Sequence, residues 1–163
     1  MSGAATDRAA FVAGLEEEVA SFGELCRILQ AEQQCLLGRD MEALLALTDV
    51  KSRTVERLLE LATLRTAYLH DRRLTPGAAG MRQWLASQAA AERTRLADAW
   101  ARLLALIADA RAANRINGGL IATRLSHTQA ALATLQSAAH HHSGYGPDGQ
   151  SDFRVGNREL ARA

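Results

Sequence analysis

The chain has 163 residues, enough for one ordinary domain or for a few long helices that never form a compact sphere. Its formal net charge of +1 disfavours nucleic-acid binding, because phosphate recognition draws on a surplus of lysine and arginine. No stretch approaches the roughly 18 apolar residues that span a bilayer, and the start MSGAATDRAAF lacks a basic segment followed by an apolar run. We therefore expect a cytoplasmic protein without membrane insertion.

Composition also predicts the fold class. The two prolines are Pro76 and Pro147, so two long stretches contain no helix breaker. Aromatic residues make up 4% of the chain, too few to fill a conventional globular core, which favours narrow seams of leucine and alanine. We predict an all-α protein, an elongated antiparallel helical hairpin plus a long C-terminal helix that together form a coiled-coil-like bundle.

The first predicted helix carries one continuous apolar seam. Spacings of three and four alternate along Val12, Leu15, Val19, Phe22, Cys26, Leu29, Gln33 and Leu36. The helix should end near Gly38, since glycine commonly follows the last periodic residue, and Asp40 is suited to cap the next helix. So short a turn cannot separate two domains.

The second predicted helix runs from about residue 41 to residue 71 and returns antiparallel to the first, because the Gly-Arg-Asp connection is tight. Charges of opposite sign support this pairing. The first helix carries Glu16, Glu17, Glu18, Glu24 and Glu32, and the second carries Lys51, Arg53, Arg57 and Arg65. Exposed pairs contribute about 0.2 to 1 kcal/mol each, so they specify the alignment more than they stabilise it.

A short helix and a long one follow. Thr75 and Pro76 form a helix start signal, with Thr75 as the N-cap and Pro76 at the first helical position. The short helix, with Met81, Trp84 and Leu85, should cover one end of the hairpin. From about residue 87 a seam continues for about 50 residues. We predict a helical domain over residues 1–142 and a flexible tail over residues 143–163, where Gly, Ser and Asp replace apolar residues.

The third long helix contains residues that weaken it. Asn114 and Asn117 occupy seam positions, where polar residues fix register at a cost in stability. Gly118 and Gly119 either carry a helix-weakening penalty of roughly 2 kcal/mol that packing offsets, or permit the close approach of another backbone or a bend. Beyond them an apolar stripe follows through Leu120, Ile121, Leu125, Leu132 and Leu135. The stripe is either ordinary core or a surface for an amphipathic helix of another protein.

Residues with catalytic or metal-binding chemistry form no recognised pattern. Cys26 and Cys35 lie nine residues apart in one helix, too far to bond to each other, and are interpreted as buried filler. No nucleophilic triad, HExxH or phosphate-binding glycine motif occurs, so we expect neither an enzyme nor a cofactor. The run of His140, His141 and His142 lacks partner ligands and is interpreted as an exposed helix end rather than a metal site.

Three motifs near the C-terminus nevertheless resemble a known family. The order N-x-x-N-G-x-L-I, then T-x-x-A-L-x-x-L, then Y-G-P-D-G is similar to that of the FlgN flagellar export chaperones. These motifs cover about 36 residues, 114–149, whereas the upstream half shares only a leucine-rich helical layout, with Lys51 at mid-length and the pair Leu58 and Leu59.

The resemblance implies a cytosolic type III secretion chaperone that binds the hook-filament junction proteins FlgK and FlgL and delivers them to the export gate protein FlhA. Carried over by position, the cargo-binding residues are Asn114, Asn117, Gly118, Leu120, Ile121, Leu125, Thr128, Leu132 and Leu135. The export-gate contact is Tyr145. The histidine run before this tyrosine and the tail after Gly149 depart from the family pattern.

Two other classes of function remain open on the sequence. A coiled-coil scaffold or adaptor without an export role needs the apolar stripe to be closed, within the chain or in a homodimer. A helical phosphotransfer module needs an exposed mid-helix histidine, for which His70 and His127 are the candidates, although neither has a supporting local pattern. The chaperone instead needs an exposed stripe near residues 115–135.

Overall fold

The computed structural model describes the backbone of residues 2–143 and the side chains of residues 5–139. This part of the chain is all-α, as predicted. It forms four helices: α1 (Ser2–Gly38), α2 (Met41–Asp71), α3 (Ala78–Ala86) and α4 (Ala90–Ser143). None of these described helices is long and apolar enough to cross a membrane. The chain divides into two compact units, Met1–Ile121 and Ala122–Ala163, which are described separately below.

The turn between α1 and α2 confirms the predicted cap at Asp40. Its side-chain carboxylate accepts a hydrogen bond from the amide of Ala43 at 3.0 Å, which satisfies one of the free amides at the start of α2. The residue that turns the chain is Arg39, with φ of 62°, whereas Gly38 is the last residue of α1. The amide of Asp40 then donates to the carbonyl of Cys35 at 3.0 Å and closes the end of α1.

Ion pairs fix the register of the α1–α2 hairpin as the charge pattern predicted. The three that join α1 to α2 are Arg65 to Glu18 at 2.9 Å, Lys51 to Glu32 at 2.9 Å, and Arg57 to Glu17 at 2.7 Å. The hydrogen bond from Arg57 holds the pKa of Glu17 below its usual value. Two of the predicted acidic residues pair elsewhere, since Glu16 contacts Arg95 of α4 and Glu24 contacts Arg27 of α1.

The predicted start of the short helix was wrong by two residues. α3 begins at Ala78 with Gly77 as its N-cap, and no side chain caps it. Gly77 has a φ of 83°, a conformation that residues with a side chain rarely adopt, so the bend at Gly77 overrides the Thr75-Pro76 signal. Gly80 lies close against this bend, because a Cβ built on it would stand 1.8 Å from the carbonyl oxygen of Thr75.

The main core lies where α1 begins and α2 ends, and α3 covers this end of the hairpin as expected. Its buried residues come from all four helices: Phe11, Leu15, Leu69, Met81, Trp84, Leu85, Leu96, Trp100 and Leu103. Three aromatic rings meet there: Phe11 stacks on Tyr68 with ring centroids 3.8 Å apart, and Trp84 lies edge to face with Phe11 at 4.6 Å. Most aromatic residues within the described part of the chain therefore lie at one end of the hairpin.

The first part of α4 packs on α1 through a heptad. Leu96, Leu103, Ala110 and Asn117, each seven residues from the last, are all buried. The other seam series becomes steadily more exposed: Trp100 is buried, Ile107 is half-buried, and Asn114 is exposed. One row of seam residues on α4 therefore faces α1, and the other row is left without a complete partner.

Candidate partner-binding surface

Asn117, expected on the cargo surface, lies inside the first unit. It is 1% exposed, and its Nδ2 donates to the carbonyl of Leu29 at 2.8 Å and to Glu32 Oε2 at 2.7 Å. Its amide donors are therefore used to hold α4 against α1. This geometry matches the alternative interpretation, in which a polar seam residue fixes register.

Asn114 lies three residues earlier and is exposed. Its Oδ1 accepts a hydrogen bond from Lys51 Nζ at 3.4 Å, and Lys51 also donates to both carboxylate oxygens of Glu32, at 2.9 and 3.0 Å. Together with Asn117, these residues form a polar cluster that joins α1, α2 and α4 at one level. The side-chain oxygen of Asn114 therefore accepts from the same ammonium group that pairs with Glu32.

The double glycine does not interrupt α4, which continues through residues 118 and 119 as a helix. A Cβ built on Gly118 or Gly119 would meet no described atom within 4 Å. No neighbouring backbone within the described residues thus requires glycine at either position. A bend on partner binding stays a prediction. The adjacent Leu120 is half-buried and Ile121 is 48% exposed.

In the second unit, the predicted apolar stripe forms an exposed face of α4. Leu125, Leu132 and Leu135 are 57%, 53% and 66% exposed. Thr128 shares their face, since residues 125, 128, 132 and 135 alternate spacings of three and four, and its Oγ1 donates back to the carbonyl of Arg124 at 3.0 Å. Leu125, Thr128, Leu132 and Leu135 are called the distal face below.

The charge of α4 changes sharply along its length. Asp109 is its last acidic residue, and residues 110–143 contain Arg111, Arg115 and Arg124 but no Asp or Glu. Every residue of this stretch that is Asp, Glu, Lys or Arg is therefore an arginine. An acidic partner suits the stretch better than a basic one.

Sequence reasoning missed an apolar groove in the first unit. It has a volume of about 560 Å³ and lies between α2 and α4, with α1 as its floor. The floor includes Leu25 and Leu29, the α2 wall includes Val55 and Leu59, and the α4 wall includes Ile107 and Arg111. This space is called the α2–α4 groove. The available signal was that Leu58 and Leu59 are both apolar, although adjacent positions on one helix cannot both face α1.

Within the described residues, no group of three His, Cys, Asp or Glu side chains is placed to hold a metal. Cys26 and Cys35 are both free thiols, and Cys26 Sγ donates to the carbonyl of Leu106 at 3.6 Å. The side chains of His140, His141 and His142, and the whole of Tyr145, lie outside the described part of the chain.

Comparison with known proteins gives one match. The family model described as FlgN protein matches residues 1–152, a range that includes all four described helices and the segment with Tyr145. No curated protein and no solved structure matches the chain. The matched range extends well beyond the C-terminal motifs.

Proposed function

Because the chain belongs to the FlgN family of flagellar export chaperones, we propose that it holds FlgK and FlgL in the cytoplasm and delivers them to FlhA. The family consists of chaperones, and we assign this chain no enzymatic activity. The proposed cargo surface is the distal face of α4. The proposed gate contact is Tyr145.

The observation that carries this proposal is the exposure of the distal face. Its three leucines repeat at heptad spacing, which in a soluble helix normally marks a buried side. Fully burying a leucine stabilises an assembly by about 1.5 to 3 kcal/mol relative to leaving it in water. An amphipathic helix laid along this face gains that energy from several leucines at once, which suits capture of an apolar cargo segment.

The burial of Asn117 narrows the proposed surface. A residue that already donates to Leu29 and Glu32 has no free amide donor for cargo. The surface proposed here therefore consists of residues 125–135 of the second unit, and Asn117 serves the packing of the first unit.

The test is co-purification of the full chain with C-terminal segments of FlgK and FlgL. Leu132→Asp places a charge in the proposed contact and should reduce capture by about tenfold or more, since an unpaired charge buried at an apolar interface costs several kcal/mol. The matched control is Leu37→Asp, because Leu37 is 59% exposed but lies at the end of α1. Unchanged capture by Leu132→Asp, or equal loss in the control, contradicts the proposal.

Tyr145 has a separate proposed role in delivery. A tyrosine ring contributes a large contact area at low entropic cost, which suits an anchor in a gate interface. Tyr145→Ala should leave capture of FlgK and FlgL intact and lower their export. Equal loss of capture and export would reject this division of labour.

A further inference from the structure

The α2–α4 groove is a second unpartnered surface, independent of the distal face and confined to residues 1–121. Both α2 and α4 pack on α1. The groove lies between α2 and α4 above α1, and no described helix covers it. A buried cluster of Leu25, Leu29, Leu58 and Ala110 forms its base. Val55 and Leu59 on the α2 wall are 46% and 70% exposed. The groove therefore presents apolar side chains to solvent on its wall as well as on its floor.

The length of the groove is set by two ion pairs. Arg65 with Glu18 lies at one end, and Lys51 with Glu32 lies at the other. Fourteen residues separate Lys51 from Arg65, which is about 21 Å along a helix. A guest helix of about four turns spans that distance, and three packed helices with one open side are a four-helix bundle that lacks one member.

The charges at the groove favour one kind of guest. Glu18 and Glu32 are already paired with Arg65 and Lys51, so neither carboxylate is available to a basic partner. On the α4 wall, Arg111 makes no ion pair within the described residues, and it has donors but no acceptor. Asn114 also lines the groove, where its Nδ2 is a hydrogen-bond donor and its Oδ1 already accepts from Lys51.

We propose that the α2–α4 groove accepts an amphipathic helix with leucine-like residues on its inner face and carboxylate side chains along the flank that faces α4. The apolar face covers Val55 and Leu59, and the carboxylates pair with Arg111 and accept from Asn114. This guest adds a fourth long helix to the first unit. The distal face takes no part in this contact.

The probe is a labelled, helical 18-residue peptide with leucines at heptad positions a and d and glutamates on one flank. A matched peptide carries lysines in place of the glutamates. Fluorescence anisotropy with the full chain should show that the glutamate peptide binds more tightly by about fivefold, the effect expected of an ion pair worth about 1 kcal/mol. Equal affinity for the two peptides overturns the proposed chemistry.

Variants of the full chain locate the contact. Leu59→Asp should weaken binding of the glutamate peptide by about tenfold or more. Leu64→Asp is its matched control, because Leu64 is also an exposed leucine of α2, at 62%, but does not line the groove. Arg111→Glu should reverse the preference in favour of the lysine peptide. Equal losses in Leu59→Asp and Leu64→Asp overturn the location.

Further experiments distinguish an acidic partner in the groove from other occupants and from binding at the distal face. Loss of peptide binding in Leu132→Asp but not in Leu59→Asp would assign the peptide to the distal face and reject the groove. A homodimer seen by light scattering that Leu59→Asp dissociates would make a second copy the occupant, which overturns an acidic partner. Phe153 is a large apolar residue of the C-terminal segment 144–163. Tighter peptide binding in Phe153→Asp would make this segment the occupant of the groove, which also overturns a separate acidic partner.

Discussion

The side-chain amide of Asn117 donates a hydrogen bond to the main-chain carbonyl of Leu29, 2.8 Å away, and so ties the middle of α4 to the last third of α1. Asn117 is the fourth member of the buried heptad row on α4, after three apolar residues. Its Oδ1 is buried without a hydrogen-bond partner among the described residues. The donor of Asn117 therefore specifies the register between α4 and α1, whereas its acceptor oxygen is buried without a partner among the described residues.

The first prediction concerns the difference between the paired Nδ2 and the unpaired Oδ1 of Asn117. Asn117→Leu removes the unpaired Oδ1 together with the donor, and its former partner Glu32 keeps its ion pair with Lys51, so this carboxylate is not left unpaired. We expect a change in the free energy of unfolding within about 1 kcal/mol. Asn117→Asp instead places a carboxylate beside Glu32 and the Leu29 carbonyl, and we expect it to destabilise by about 2 to 4 kcal/mol. Urea unfolding measures both values.

The matched control is Asn114→Asp, since Asn114 is three residues away on the same helix and exposed. There the new carboxylate faces water and Lys51, so the expected change is within about 0.5 kcal/mol. If Asn117→Asp and Asn114→Asp have equal effects, the buried contact with Leu29 does not stabilise the bundle.

Asn114 and Asn117 also show which features of the α4 seam can be predicted from the sequence. The heptad places both Asn114 and Asn117 on the α4 seam, but it does not specify which row meets α1. In the structure one row faces α1 and is buried throughout, whereas the other leaves the core after Trp100 and lines the α2–α4 groove with Ile107 and Asn114. The exposure of a seam residue thus depends on the positions of the neighbouring helices, which the periodicity of one helix does not specify.

The hairpin, by contrast, was predictable because its determinants are local. The bounds of α2, the cap at Asp40 and the pairing of opposite charges all follow from residues close in sequence or from a tight turn. The predicted start of α3 was wrong for a local reason, because Gly77 adopts a positive φ and takes the N-cap position that was predicted for Thr75. The groove was missed because it depends on how α2 and α4 pack on α1, which no local pattern specifies.

The second prediction concerns Gly80. A methyl group there would stand 1.8 Å from the Thr75 carbonyl oxygen, which is main chain and cannot rotate away. Gly80→Ala should therefore shift α3 and destabilise by about 2 kcal/mol or more, as overpacked sites do. Gly23→Ala is the control, because a Cβ there meets nothing within 4 Å in mid-α1, and it should stabilise by about 0.5 to 1 kcal/mol. Thermal unfolding of both variants tests the sign, and a stabilising Gly80→Ala would contradict the close contact.

The third prediction concerns the thiol of Cys26. Burial raises its pKa above the usual value, and the negative charge of Asp109 adds to the rise, because both disfavour the thiolate. Since the thiolate is the nucleophile, iodoacetamide should alkylate Cys26 in a Cys35→Ser background more slowly than a free cysteine at the same pH. Adding Asp109→Asn removes the smaller cause and should raise the rate, whereas unfolding in urea should restore the rate of a free thiol.

The raised pKa of Cys26 also makes the free energy of unfolding depend on pH. The unfolded chain loses the Cys26 proton at a lower pH than the folded chain, so between the two pKa values it binds fewer protons and folding stability falls as pH rises. The stabilisation is complete below the pKa of the unfolded thiol, about 8.5, and is lost above it. Urea midpoints of the Cys35→Ser chain, compared with the same chain carrying Cys26→Ser, should therefore diverge as pH rises above about 8.5. Parallel pH profiles for the two chains would show that the Cys26 thiol is not shifted by its contacts with α4.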